Sequence, residues 1–120
     1  MKRDMDLIRK LVITIEDHPS GFAPSELKIE GHTEEEVSYH LWLMLQAGLI
    51  EGEDITYGGC NSPIAMATSL SWAGHEFASL ARSDTVWNQA KTKIKDTVGS
   101  VSLAIFTELL KSIGKSIIGM

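Results

Sequence analysis

Thr33-Glu34-Glu35-Glu36 and Gly48 mark the two ends of a single helix, and that helix constrains everything placed around it. The Thr33 hydroxyl can take the amide of Glu36 while the Glu36 carboxylate reaches back to the amide of Thr33, which makes a capping box. Gly48 suits the left-handed position in which helices end. Between these signals Val37, Leu41, Met44 and Leu45 recur at helical spacing and form an apolar stripe over residues 33–47. On leaving Gly48 the chain enters Leu49-Ile50-Glu51 at once, a predicted strand.

The neighbouring segments follow from the same kinds of signal. Residues 4–17 read as a helix with Met5, Ile8, Leu11, Val12 and Ile15 on one face, acidic residues in the first turn and Pro19 and Gly21 as stops. Leu27-Lys28-Ile29-Glu30 alternates weakly and is a short strand candidate. Residues 52–68, with three glycines, Asn61 and Pro63, read as a loop, and Ser69-Leu70-Ser71-Trp72 as the strand that returns from it. Helices are predicted over 73–82, with Phe77, Leu80 and Ala81 inward, over 85–98 behind an Asp84 cap, and over 101–118. In the last of these, Leu103, Phe106, Leu110, Ile113 and Ile117 form a heptad seam, readable as a dimer interface or as packing within one chain.

Charge is divided unevenly. Residues 1–81 carry 5 Lys/Arg and 13 Asp/Glu, whereas residues 82–120 carry 6 and 3. Between Lys28 and Arg82 there is neither lysine nor arginine, so no side-chain cation in that stretch can neutralise a phosphate. A single cysteine, Cys60, excludes a disulfide framework within one chain and points to a reducing cytoplasm. Neither a signal peptide nor a run of ~18 uncharged apolar residues suited to a membrane is found.

The element order is helix, short strand, helix, strand, long loop, strand, helices. This predicts a mainly α fold with a small β-hairpin, a winged helix-turn-helix-like core over residues 1–83 and a C-terminal helical extension over 84–120 packed on it as one domain. Val37-Ser38-Tyr39-His40-Leu41 with Ala47-Gly48-Leu49-Ile50 is similar to the recognition helix and first wing strand of small arsenical-resistance-type repressors, and Leu70 to Phe77 resembles the exit from their wing. The whole chain more closely resembles the family named domain of unknown function 2513. The matching motifs are Met1 to Leu7, Tyr39-His40 with Ala47 to Ile50, Gly74-His75, and Asp84-Thr85-Val86-Trp87-Asn88. That resemblance implies a fold and a bacterial or prophage setting, with no activity attached. The chain departs from the repressors where basic residues are usual, carrying Trp42 and Leu45, and it lacks a separate helix before 33–47.

Tyr39, Trp42, Leu43 and Gln46 lie opposite the apolar stripe. They are either a partner-binding surface of aromatic and aliphatic anchors or a face covered by the C-terminal helices. His40, His75 and Cys60 lack metal-ligand spacing, and His40 flanks the core stripe as a packing residue. Cys60 has no base or oxyanion site nearby in sequence, so neither catalysis nor a cofactor or metal is expected. The expected function is a non-catalytic, cytoplasmic interaction module, a phage or prophage accessory or regulatory protein with a protein partner, and a homodimer is open. A DNA-binding regulator is the alternative, disfavoured by the missing cations unless Lys91, Lys93 and Lys95 supply them. An acidic inhibitor of a host protein, using Glu34–Glu36 and Glu51–Asp54, is a third.

Overall fold

Asp4 opens the first helix as a cap. Its carboxylate accepts the amides of Asp6 and Leu7 at 3.0 and 3.3 Å, so α1 runs over Met5–Asp17 with Leu7, Ile8, Leu11, Val12 and Ile15 buried. The computed structural model describes residues 1–97 and 103–117. Among them are five helices and one two-stranded antiparallel sheet. The chain divides into two units, Met1–Glu76 and Phe77–Met120, with the division inside a helix.

In the first unit, α2 spans Glu34–Ala47, and both capping-box bonds are made: Glu36 N–H to Thr33 Oγ1 at 3.1 Å and Thr33 N–H to Glu36 Oε1 at 3.2 Å. Gly48 sits at φ 78° and sends its N–H back to the carbonyls of Leu45 and Met44. Val37, Leu41 and Met44 are buried as the stripe requires, but Leu45 is only half-buried and His40 takes a core place beside them.

The hairpin is longer than its sequence signals suggest. Strand β1 is Ile50–Asp54 and β2 is Ala65–Leu70. The ladder carries on to a bond from Ile55 N–H to the Ile64 carbonyl, which leaves only the tip for the expected 52–68 loop. Glycine and alanine in place of alternating β-formers hid the pairing. Register shifts between Glu51, opposite Ser69, and Gly52, opposite Ala67, so Thr68 bulges out.

Leu27–Glu30 is not a strand. The Thr68 carbonyl accepts the N–H of Ala23 at 2.8 Å, but no backbone bond from residues 24–30 continues the pairing with β2. Trp72 is not in β2 either; it begins α3, Trp72–Ala81. Ser71 is the reason, since its hydroxyl accepts the N–H of Gly74 at 3.0 Å and donates to the Gly48 carbonyl, capping the new helix.

The second unit holds the rest of α3, α4 over Asp84–Thr97 and α5 over Leu103–Ile117. Trp87 is 1% exposed and meets Phe77 edge-on at 6.0 Å and Phe106 at 4.9 Å. Around this aromatic triad Ala78, Ala81, Ala90, Leu110 and Ile113 are buried, while Leu80 is half-buried. Ser83, not Asp84, caps α4: its hydroxyl accepts the N–H of Val86 at 3.2 Å and its carbonyl that of Trp87 at 2.9 Å. Among the described residues no helix is long and apolar enough to cross a membrane.

Candidate functional site

The outward face of α2 is built by residues one turn apart. Tyr39 and Trp42 stack with ring centroids 5.9 Å apart and an interplanar angle of 18°. The indole N–H of Trp42 donates to Asp54 Oδ2 at 3.1 Å, which ties the helix to the end of β1. Asp54 accepts the amide of Thr56 on its other oxygen at 3.0 Å. Its carboxyl is held below the ordinary range, first by the Thr56 side chain, then by the Thr56 backbone, then by Trp42. A second tie runs from Ser62 Oγ to Glu35 Oε1 at 2.6 Å and fastens the hairpin loop to the first turn of α2.

Tyr39, Trp42 and Leu43 are half-buried and Gln46 is exposed. The structure therefore brings Tyr39 and Trp42 together as one aromatic unit, with Gln46 one turn further along. Asp54 and the Glu35–Ser62 pair were not legible as members of this face. They reach it across 12 and 27 residues of sequence, and nothing in their local pattern marks them.

Glu36 is committed elsewhere. Its carboxylate receives His32 Nδ1 at 3.2 Å as well as the capping-box amide, and its pKa is lowered, by His32 first and by Thr33 next. This leaves Glu34 and Glu35 as the outward acids of the first turn, with Glu35 already holding Ser62.

The histidines are structural partners. His40 is 1% exposed and both ring nitrogens are engaged. A carbonyl can only accept, so Nδ1–H donates to the Glu36 carbonyl at 2.8 Å, and Nε2 accepts the N–H of Asp4 at 2.8 Å. One tautomer is thereby selected, and the start of α1 is bolted to α2. His75 Nδ1 lies 2.9 Å from Glu16 Oε2. Cys60 Sγ faces the N–H of Tyr57 at 3.4 Å within a tight turn. Among the described residues no three His, Cys, Asp or Glu side chains gather as metal ligands would.

In the second unit, Phe106, Leu110 and Ile113 of the predicted seam are buried within a single chain and Leu103 is half-buried. The side chain of Ile117 lies outside the described ones, as does that of Lys95, while Lys91 and Lys93 are exposed on α4.

Residues 2–101 match the family described as "Hypothetical protein (DUF2513)". The chain belongs to the DUF2513 family. A Haemophilus influenzae (strain ATCC 51907 / DSM 11121 / KW20 / Rd) protein described as an uncharacterized protein is 38% identical over 126 residues, covering 98% of this chain and 96% of that one. No solved structure matches. The segments that carry the DUF2513 likeness meet in the fold for structural reasons: Asp4 with His40, Gly74 with Leu49, and Trp87 at the heart of the second unit.

Proposed function

We propose that this chain is a non-catalytic interaction module of winged-helix type, an accessory or regulatory protein of bacterial or prophage origin that works by contact with a protein partner. The observation that carries this reading is the Tyr39–Trp42 stack, part-exposed and held by Asp54. Aromatic anchors fixed in one orientation lose little freedom when a partner arrives, and such residues dominate the centres of protein interfaces. Leu43 and Gln46 extend the same face.

Charge turns the reading toward protein and away from duplex DNA. Residues 29–81 hold eight carboxylates and neither lysine nor arginine, so α2 and the hairpin have nothing to neutralise a phosphate backbone. The order α2, β1, β2 supports the winged-helix assignment, and the bond from Ala23 to Thr68 stands where the third strand of such a sheet would pair. Residues 18–33 carry turns where the paired helix of a helix-turn-helix would be, which also takes the chain away from ordinary DNA reading.

The test is capture from bacterial lysate, with and without nuclease treatment, using the wild-type chain and a Tyr39→Ala/Trp42→Ala variant, both checked by thermal melting. A protein held by the wild type and lost with a folded variant is the expected result. Equal retention by the variant would refute the assignment of this face. Retention that disappears with nuclease would instead favour the DNA-binding regulator.

A further inference from the structure

A two-stranded sheet has open edges, and the outer edge of β2 looks into a groove. Ile55 N–H bonds the Ile64 carbonyl at 3.1 Å, and the ladder continues with Asp54 opposite Ala65, Glu53 opposite Met66 and Gly52 opposite Ala67. Antiparallel pairs alternate between those that exchange hydrogen bonds and those that do not. With Ile55 and Ile64 bonded, Met66 turns its backbone groups toward β1, while Ala65 and Ala67 turn theirs away. Among the described residues, the backbone bond that reaches this outer edge from beyond the hairpin is Ala23 to Thr68.

The groove beside the edge has a volume of about 440 Å³. It is lined by the 24–29 segment, by Val37 and Leu41 of α2, and by Ile55 and the 65–67 stretch of β2. Met66 and Ile55 are 51% and 44% exposed there. Two carboxylates, Glu26 and Glu34, line it with one cation, Lys28, which sits 4.0 Å from Glu26. From Glu26 to Met66 the chain carries eight carboxylates and one lysine, so the field around the groove is strongly negative.

We propose that this edge accepts an extended basic peptide segment of a partner as an added strand. Its backbone bonds Ala65 and Ala67, alternate apolar side chains enter the groove, and its lysines meet Glu26 and Glu34. Strand addition of this kind draws affinity from main-chain bonds and selectivity from the side chains that alternate into the groove. The open stretch, 65–67, spans about 10 Å at ~3.3 Å per residue, so about three residues of an added strand lie along it and a five-residue peptide overhangs it by about one residue at each end. The site is separate from the Tyr39–Trp42 face and does not depend on the reading of that face.

The experiment titrates isotope-labelled full chain with acetylated, amidated Lys-Val-Lys-Val-Lys and follows backbone amide shifts. Saturating shifts at Ala65, Met66, Ala67 and Leu27–Ile29 are expected. An added strand presents only one of its edges to β2. N-methylating one alternate set of residues, the valines or the lysines, should therefore weaken binding at least tenfold, while methylating the other set is tolerated. The Glu-Val-Glu-Val-Glu peptide should bind at least tenfold more weakly. Ala67→Pro removes one outward N–H at an edge position where proline is tolerated, and it should weaken binding without moving the melting temperature; should that variant unfold, the peptide series decides alone. Absence of binding up to about 1 mM, equal binding of both N-methylated peptides, equal binding of the acidic peptide, or shifts confined to Tyr39–Gln46 would each overturn the proposal.

Discussion

Replacing Gly74 by alanine tests how closely α3 approaches the strand entry. In an open helix interior, Gly→Ala stabilises by about 1 kcal/mol through helix propensity. Here a Cβ on Gly74 would collide with the Leu49 carbonyl oxygen, and it would lie 3.1 Å from both the Leu49 carbonyl carbon and a Leu70 methyl. That carbonyl cannot swing aside freely, because it accepts the N–H of Ser71 at 3.0 Å. Relieving the overlap means shifting α3 or breaking that bond, at about 1–3 kcal/mol for overpacking and about 0.5–1.5 kcal/mol for a lost hydrogen bond. With both costs incurred, subtracting the propensity gain leaves an expected destabilisation of about 0.5–3.5 kcal/mol. With urea slopes of about 1–3 kcal/mol per molar, the midpoint should fall by about 1 M. Gly114→Ala is the matched control. Gly114 lies inside α5 with no heavy atom within 4 Å of its notional Cβ, so the same substitution there should raise the midpoint. Circular dichroism across a urea series measures both. Two variants moving in the same upward direction would refute the close approach at Gly74.

The Glu36 carboxyl has a lowered pKa in the folded chain, so its contribution to stability is present above about pH 4.5 and is lost as pH falls through the lower folded value. Unfolding measured from pH 3 to 6 should show this loss in the wild type and a flatter profile in Glu36→Gln. His40→Phe keeps the volume but leaves the Asp4 amide without its acceptor, and should destabilise by about 1–3 kcal/mol; calorimetry finding no change would remove the bolt between α1 and α2. A homodimer through the α5 seam could not use Phe106, Leu110 or Ile113 without taking them from the core, and the exposed large hydrophobic among the described residues of α5 is Ile105, at 58%. Sedimentation at about 10–100 µM should then show dissociation on Ile105→Glu, and a wild-type monomer over that range would end the dimer reading.

The face on α2 was half legible. Tyr39 and Trp42 stand three apart, and helical geometry alone puts them side by side. What holds them did not show in the sequence, since Asp54 reads there as one more acid in a wing lacking cations and becomes the acceptor of the indole only when the hairpin folds onto the helix. His40 was legible as a packing residue, but its two partners were not. One of them, the Asp4 amide, lies 36 residues away and carries no side-chain signature at all. The hairpin is legible in kind but not in length, because its inner rungs are made by glycine, alanine and acids whose pairing depends on the opposite strand.

By itself the sequence determined the features whose bonds close within a few residues. The capping box at Thr33, the left-handed Gly48, the stop after α1 and the periodic stripes of α1 and α2 are of this kind, because each depends on backbone groups no more than one helical turn away. Only the tertiary structure decided which distant groups meet: Trp42 with Asp54, His40 with Asp4, Ala23 with Thr68, and Gly74 against Leu49. It also decided that Leu27–Glu30 stays unpaired beside an open strand edge. Alternation makes a segment able to pair, but a strand exists only where another backbone presents its hydrogen-bonding groups at the right spacing, and past the Ala23–Thr68 bond no backbone group of residues 24–30 is paired with β2.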